Sequence, residues 1–240
     1  MNKVAFILGV GASNGLGAAI ARRFARENLH VCVAGRTADN LNAVKQEIEA
    51  QGGVASIAVC DATDSQQIHH ALNSCEQYGQ LSAVIFNVGN NAHISFADLK
   101  AEQFEKFWRV CTYSGFLTAK EALPRLKKHG GSLLFTGASA SLRGRPGFAH
   151  FAAAKAGLRS MAQALAKDYG PKGVHVAHVV VDGAINGERL RSALPEYLDR
   201  LGEDGSLDPD AIAELYWLLH AQPRNAWSFE LDVRPYKEVW

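Results

Sequence analysis

The feature that most constrains the fold is a glycine-rich turn directly after the first apolar run. The run VAFILGV (4–10) predicts a buried strand, and it passes straight into the turn GASNGLG (11–17). A stretch with helical periodicity follows near 15–28. Glycines at this spacing allow a pyrophosphate to approach the backbone, and the helix start presents free N–H groups and the positive end of its dipole. These residues therefore predict a strand–turn–helix unit that binds a dinucleotide.

Apolar strand-like runs alternate with helix-like segments along the rest of the chain. Such alternation predicts a parallel sheet covered on both faces, with right-handed crossovers. We therefore expect one α/β domain over residues 1–240, a doubly wound Rossmann-type sheet. The segment 182–209 is rich in glycine and proline and breaks the alternation, which predicts a loop or lid over the binding crevice. Further strands are predicted near 30–35, 54–60, 83–88, 132–137 and 174–181, and further helices near 38–51, 64–78, 101–128 and 147–169.

Composition and charge exclude several classes of protein. Hydrophobic residues make up 48% of the chain and charged residues 20%, as in an ordinary soluble globular domain. The formal net charge is +1 with scattered basic residues, which argues against a nucleic-acid partner. No apolar stretch is long enough for a membrane span, so no membrane partner is expected. No metal-ligand spacing occurs, so no metal site is predicted, and the four cysteines indicate buried free thiols and a reducing, cytoplasmic compartment: Cys32, Cys60, Cys75 and Cys111.

Five motifs, in the right order, resemble those of the short-chain dehydrogenase/reductase family. The glycine turn is similar to the family's TGxxxGxG, with a valine in place of the threonine. Asp61 resembles the aspartate that contacts adenine, and FNVG (86–89) resembles the NNAG motif. Lys155 in FAAAK matches the lysine of YxxxK, and VDG (181–183) falls where the family has its PG turn. The resemblance covers about residues 1–187, whereas the C-terminal tail departs from the glycine-ended strand expected there.

The residues after the second strand indicate which nucleotide is bound. NAD-selective Rossmann domains place an acidic side chain here, whereas this chain has Arg36 and Thr37, which suit a 2′-phosphate. We therefore predict NADP(H), with NAD(H) less favoured. The turn, this position and the resemblance together imply cofactor contacts from Gly11, Ser13, Asn14, Gly15, Leu16, Gly17, Arg36, Thr37, Asp61, Ala62, Asn87, Val88, Gly89, Lys155, Gly183 and Ile185.

The catalytic pattern implied by the resemblance is incomplete. In the family a tyrosine transfers the substrate proton, a serine positions the substrate oxygen, an asparagine anchors a water and a lysine lowers the tyrosine pKa. Phe151 stands at the tyrosine position, Ala138 at the serine position and Thr112 at the asparagine position, so only Lys155 is kept. A general acid contributes about 10²–10⁴-fold to a rate, so ordinary carbonyl reduction is expected to be impaired.

Three neighbouring side chains are candidates to replace the missing groups. Ser139 adjoins Ala138, although adjacent side chains of a strand face opposite ways unless a bulge re-aims one. Tyr113 follows Thr112 and is turned about 100° around a helix, and His150 precedes Phe151, also off the catalytic face.

Two functions therefore stay open. The first is an NADP(H)-dependent oxidoreductase of a small-molecule substrate, with a non-standard proton source or weak catalysis. The second is a catalytically inactive cofactor-binding protein, a sensor or a partner subunit. No residue points to non-redox chemistry. The resemblance also implies a homodimer or homotetramer, paired through the predicted helices 101–128 and 147–169. The apolar residues expected at this interface are Phe104, Phe107, Trp108, Leu158, Met161 and Leu165.

Overall fold

A computed structural model describes residues 2–239, which form a seven-stranded parallel sheet with helices on both faces. The strand order is β3-β2-β1-β4-β5-β6-β7, so the predicted doubly wound α/β fold is confirmed. The two terminal residues of the predicted 1–240 domain lie outside the described residues. The strands are β1 (Lys3–Leu8), β2 (His30–Gly35), β3 (Val54–Val59), β4 (Gln80–Phe86), β5 (Gly131–Thr136), β6 (Val174–Val181) and β7 (Glu230–Val233).

The helices fill the crossovers between these strands. They are α1 (Leu16–Ala25), α2 (Ala38–Ala50), α3 (Ser65–Glu76), α4 (Ala101–Trp108), α5 (Ser114–Leu126), α6 (Ala149–Tyr169), α7 (Glu188–Ala193), α8 (Pro195–Leu201) and α9 (Pro209–Ala221). A π-helical turn, Arg109–Tyr113, joins α4 to α5, and 3-10 turns cover Ser139–Ser141 and Gly170–Lys172. No helix of residues 2–239 is long and apolar enough to cross a membrane.

The sheet is buried on both faces, which is why its central strands are almost wholly apolar. One core lies between the sheet and helices α1, α2 and α9, and it contains Ile20, Phe24 and Tyr216. The other lies beneath α3, α5 and α6, and it contains Phe86 and Leu158. The strand order reverses between β1 and β4, so the crevice for a ligand lies at the carboxyl ends of these strands.

Several elements differ from the sequence prediction. The predicted helix 101–128 is divided into α4, the π-helical turn and α5, and Pro124 lies inside the last turn of α5. The predicted loop 182–209 contains the two short helices α7 and α8. Helix α9 and strand β7 were not predicted: β7 has only four residues and no terminal glycine, and it is specified by its parallel pairing with β6.

Two buried histidines make the fold sensitive to mild acid. Burial lowers the pKa of His178 to about 4 and that of His220 to about 4, whereas an unfolded histidine titrates near ~6.5. Between these values the unfolded chain binds protons that the folded chain does not, so stability falls as the pH falls through this window. The loss is on the order of 3 kcal/mol for each histidine.

We predict that His220→Asn flattens the pH dependence of the unfolding free energy between about pH 7 and pH 4. The asparagine amide keeps a partner for the Ser132 hydroxyl, which lies 2.7 Å from His220 Nδ1. Urea denaturation at a series of pH values measures the effect. His70→Asn, at an exposed position on α3, is the control and leaves the slope unchanged. A His220→Asn slope equal to that of the wild type contradicts this assignment.

Candidate cofactor and active site

The phosphate turn depends on two glycines that allow close backbone approach. Gly9 has a φ of +97°, and a Cβ there would lie 2.5 Å from the Asn87 carbonyl oxygen. A Cβ on Gly17 would lie 2.7 Å from the Gly9 carbonyl oxygen. The turn therefore packs against the end of β4 and leaves the N-terminus of α1 accessible. Gly17 was among the predicted residues, whereas Gly9, the glycine of LGVG, was missed.

A hydrogen-bonded chain holds the ends of three strands around this turn. The Asn87 Nδ2 group donates to the Gly9 carbonyl at 3.2 Å, and the Thr136 hydroxyl donates to Asn87 Oδ1 at 3.0 Å. The Tyr216 hydroxyl lies 2.7 Å from Thr136 Oγ1 and completes the chain. Burial raises the pKa of Tyr216, so its hydroxyl stays protonated and serves as a donor. Asn87, a predicted cofactor residue, thus also positions the turn.

The predicted nucleotide-selecting residues lie at the carboxyl ends of β2 and β3. Arg36 and Thr37 follow β2 directly and are exposed, and Thr37 is the residue before the first turn of α2. Asp61 follows the third strand, and its carboxylate accepts from the backbone N–H and the hydroxyl of Thr63, both at 2.8 Å. Ala62 beside it is buried. These residues follow the carboxyl ends of parallel strands, at the same edge of the sheet as the glycine turn.

The segment predicted as a loop or lid contacts the glycine turn directly. Asn14 Oδ1 accepts from the Glu188 backbone N–H at 3.0 Å, and Asn14 Nδ2 donates to the Glu188 carboxylate at 3.0 Å. A Cβ on Gly187 would lie 3.0 Å from the Asn14 carbonyl oxygen. The close approach leaves little room for a side chain at position 187. Ser13 points away from the lid, since its hydroxyl donates to Glu47 on α2.

Lys155 carries a buried amine with a single hydrogen bond. Its Nζ donates to the Thr136 carbonyl at 2.8 Å, and the residue is 3% exposed. A Cβ on Gly89 would lie 3.2 Å from Nζ, so a larger residue at this position would crowd the amine. Over residues 2–239 no second acceptor lies within hydrogen-bonding distance, and burial lowers the pKa of the amine. An ammonium carries three donors, so two remain for hydroxyl groups such as those of a ribose.

The predicted catalytic positions surround this amine without supplying an acid. The Phe151 ring lies 6.0 Å from Lys155 Nζ, one helical turn away. The Thr112 hydroxyl donates to the Ala154 carbonyl at 2.6 Å, so it is used within the protein. The Ala138 backbone N–H donates to Ser141 Oγ at 3.1 Å.

Ser141 belongs to a buried relay that resembles a charge-relay triad but has a positioning role. Its Oγ lies 3.3 Å from His178 Nε2, and His178 Nδ1 lies 2.9 Å from a Glu230 carboxylate oxygen. Arg159 donates two hydrogen bonds to the same carboxylate, at 2.6 and 2.8 Å. His178 is fully buried, with a pKa of about 4, far below what a general base needs near neutral pH. The hydrogen bonds among Ser141, His178 and Glu230 instead hold in place the turn after β5 that contains Ala138.

The three candidate replacements lie in different environments. Ser139 lies in a 3-10 turn after β5, so the strand-alternation argument against it was wrong: the strand has already ended at Thr136. Tyr113 stacks at 5.6 Å on the exposed Trp108 of the outer helical face. His150 is buried with its ring 4.2 Å from Phe107, and burial lowers its pKa.

A second charged group lies directly after β6, where the sequence resembles the family's PG turn. Asp182, where the family has a proline, is 1% exposed. Arg143 donates to both of its carboxylate oxygens, at 3.0 and 2.8 Å. Gly183, the next residue, packs against Pro235 of the C-terminal tail. Ile185, also a predicted cofactor residue, packs against the hydrophobic core. Arg143 and Asp182 are 39 positions apart in the chain, so no local sequence motif predicts their pairing.

Comparisons with known proteins agree with this geometry. A short-chain dehydrogenase from Rhodopseudomonas palustris is 34% identical with a TM-score of 0.85, and the match covers 98% of this chain and 100% of that one. The 2,5-dichloro-2,5-cyclohexadiene-1,4-diol dehydrogenase of Sphingobium indicum is 33% identical over 198 residues, 82% of this chain and 78% of that enzyme. A short chain oxidoreductase of Pseudomonas aeruginosa PAO1, whose structure holds NADPH and contains an atypical catalytic center, shares the fold with a TM-score of 0.87 at 21% identity. That match covers 98% of this chain and 96% of the other.

The family profile of short chain dehydrogenases matches residues 3–195, which include the glycine turn, Lys155 and the start of the lid. Because this match covers most of the 240 residues, the chain belongs to the short-chain dehydrogenase/reductase family of oxidoreductases.

Proposed function

We propose that this protein is an NADP(H)-dependent oxidoreductase of a small-molecule substrate whose proton chemistry departs from the family pattern. The observation that carries the proposal is Lys155, a buried amine that is 3% exposed and is left with two donors toward the crevice. An unpaired buried ammonium is costly, so its position calls for a ligand rich in hydroxyl groups. A nicotinamide dinucleotide has such groups on its riboses.

The residues around the crevice fit the whole length of that cofactor. The start of α1 and its glycine turn suit the pyrophosphate, and Arg36 suits a 2′-phosphate. Lys155 would hold the nicotinamide ribose, and the Asn14–Glu188 contact would close the lid over the phosphates. The NADPH in the Pseudomonas aeruginosa oxidoreductase supports the same choice here. When bound, the cofactor supplies or accepts a hydride, and the chain supplies binding, orientation and the exclusion of water.

A second candidate function follows from what surrounds Lys155. Phe151 cannot transfer a proton, Ala138 cannot donate to an oxygen, and the Thr112 hydroxyl is already bonded to the Ala154 carbonyl. A cofactor-binding sensor or partner subunit without turnover is therefore the alternative to an enzyme. Restoring a proton donor at positions 151 and 138 separates the enzyme from the sensor or partner subunit.

We also propose a homodimer or homotetramer in the cytoplasm. The outer face of α4 and α5 carries the exposed rings of Phe104, Trp108 and Phe116, which favour burial against a second copy. Phe107 and Leu158, also expected at this interface, are instead buried within the chain. The four free cysteines fit a reducing compartment.

If the Lys155 amine serves a ligand rather than the fold, removing it stabilises the protein without cofactor. We expect Lys155→Met to raise the unfolding free energy by about 1 kcal/mol. The substitution removes the cost of burying a charge, whereas it loses only the hydrogen bond to the Thr136 carbonyl. Urea denaturation measures this, with the exposed Lys120→Met as a near-neutral control. A clear destabilisation by Lys155→Met shows instead that the amine is structural.

Arg36 decides the choice of cofactor in this proposal. Arg36→Ala should weaken NADPH binding by about 10- to 100-fold, the loss of a charge-assisted contact to phosphate, and leave NADH binding within about threefold. Fluorescence titration with both cofactors measures it, and the exposed Arg26→Ala is the matched control. Equal losses for the two cofactors would reject the assignment.

The missing acid is tested by restoring it. Phe151→Tyr together with Ala138→Ser supplies a hydroxyl near Lys155 and a donor for the substrate oxygen, and the ammonium lowers the tyrosine pKa. We expect at least about a tenfold increase in NADPH-dependent reduction across a ketone panel, with each single change giving less.

The matched control is Phe104→Tyr with Ala101→Ser, which makes the same chemical changes at exposed positions of α4. If the wild type turns over and Phe151→Tyr leaves the rate unchanged, the proton comes from another group, with Ser139, Tyr113 and His150 as the candidates. Intact NADPH binding with no turnover in any variant supports the cofactor-binding alternative.

A further inference from the structure

Two charged side chains that the family pattern does not contain are bonded to each other at the end of β6. Asp182 stands where the family has a proline, and Arg143 lies in the loop after β5 that also contains Ala138. The Arg143 Nη2 group donates to both carboxylate oxygens of Asp182, at 3.0 and 2.8 Å. The pair therefore joins the loop that lacks the family's serine to the first residue after β6.

The alternation of side chains along β6 shows on which face of the sheet this pair lies. Val176 belongs to the core beneath α6, whereas Val181 belongs to the core beneath α9. Asp182 continues the strand pairing, since its backbone N–H donates to the last residue of β7 at 2.9 Å, so its side chain faces α6. Lys155 of α6 reaches the same edge through its bond to the last residue of β5. The Arg143–Asp182 pair and the buried amine thus share one face and one edge of the sheet.

The guanidinium of Arg143 is held through one nitrogen only. Arg159 on α6 shows the usual forked arrangement, in which Nε and Nη2 each donate to Glu230, at 2.6 and 2.8 Å. Arg143 uses Nη2 alone for both oxygens of its carboxylate, and across residues 2–239 its Nε and Nη1 groups have no hydrogen-bond partner. The side chain is 32% exposed. Its position is therefore fixed while the N–H groups of Nε and Nη1 remain for a ligand.

Asp182 is an anchor for Arg143 rather than a competitor for a ligand. Its side chain is 1% exposed, and Arg234 of the C-terminal tail approaches the same carboxylate, with Nε 3.7 Å from Oδ2. Arg234 also pairs with the exposed carboxylate of Asp232. The charge of Asp182 is thus shared between two guanidinium groups, so it compensates that of Arg143 only in part.

We infer that Arg143 is a catalytic residue, whose free N–H groups bind the reacting carbonyl oxygen of the substrate and stabilise the negative charge that develops there. Asp182 is its positioning residue. The inference rests on the proposed oxidoreductase function and deepens it, because Phe151 and Ala138 offer that oxygen no hydrogen bond. A fixed donor aimed at a developing charge is among the strongest sources of catalysis in a crevice.

Stabilisation of charge replaces proton donation by the protein in this reaction. As the carbonyl carbon accepts a hydride from the nicotinamide cofactor, which is oxidised, the electron pair of the π bond moves to the oxygen. The Arg143 hydrogens stabilise the resulting alkoxide through charge-assisted hydrogen bonds. A guanidinium stays protonated, so water supplies the proton that completes the alcohol, and the hydroxide formed passes to solvent.

Two aromatic probes of similar shape test the inference without turnover. At a pH where the phenol is ionised, 4-nitrophenolate carries an anionic oxygen that mimics the alkoxide, whereas 4-nitroanisole carries a neutral ether. Calorimetry measures the binding of each to the full chain, with and without NADPH. We expect the phenolate to bind at least about tenfold more tightly, as for a hydrogen bond to a charged group.

Two variants of the pair connect this preference to Arg143. Arg143→Met with Asp182→Asn removes both charges together, so no unpaired carboxylate is left buried. It should weaken phenolate binding by about 10- to 100-fold and leave the anisole within about threefold. Arg143→Lys keeps a cation beside Asp182 but loses the extra N–H groups, so it should weaken phenolate binding at least about fivefold. Urea denaturation checks that both variants are folded.

The matched control changes the other ion pair of the same loop. Arg145 pairs with Glu238 of the tail at 3.5 Å, and Arg145→Met with Glu238→Gln makes corresponding changes. This variant should bind the phenolate as the wild type does. Equal affinities of the wild type for the two probes, or equal losses in the Arg143 and Arg145 variants, overturn the inference. Phenolate binding that is lost in Lys155→Met but kept in both Arg143 variants assigns the anion to the amine and also overturns it.

Turnover separates this inference from the proposed function. In a ketone panel, Arg143→Lys should lower kcat at least about 100-fold while NADPH affinity is kept, the scale of one lost oxyanion donor. Turnover that this variant leaves unchanged overturns the inference. Failure of NADPH to bind rejects the proposed function, whereas Arg143 is then judged on phenolate binding to the free protein. Arg143-dependent phenolate binding without turnover in the wild type supports the oxygen-binding site and rejects the enzyme.

Discussion

The buried ammonium of Lys155 is the interaction on which the account of this crevice depends. Its bond to the Thr136 carbonyl fixes the amine at the end of β5, beside Gly89, which has no side chain to crowd it. A charge with so few partners costs stability, and proteins keep such costs at functional sites. The fold supports that position through Thr136, whose hydroxyl bonds Asn87 and, through it, the turn at Gly9.

The two halves of the proposed site differ in how closely their residues follow the family pattern. The cofactor half retains the glycine turn, Arg36 and Lys155. The acid half has Phe151 and Ala138, with Ala138 held by the relay through Ser141. A neutral His178 makes that relay a rigid support rather than a source of protons.

Much of this arrangement could be predicted because it follows from patterns of residues in the sequence. The glycine turn and the FAAAK motif each lie within a few residues, and the alternation of apolar runs along the chain predicts the parallel sheet on which they are placed. The Asp182–Arg143 pair, the Tyr216–Thr136 contact and strand β7 could not be predicted, because each joins positions far apart in the chain. Ser139 was misjudged because the end of a strand cannot be located to one residue from periodicity alone.

The pKa of the Lys155 amine, measured by ¹³C NMR with and without saturating NADPH, tests the central claim most directly. Burial with one partner lowers the pKa in the free protein, and hydroxyl acceptors on a bound cofactor stabilise the ammonium and raise it. Lys155→Met identifies the resonance. The account predicts a pKa below the ordinary lysine value that rises when NADPH binds. An ordinary pKa in the free protein, or one that NADPH leaves unchanged, would contradict it.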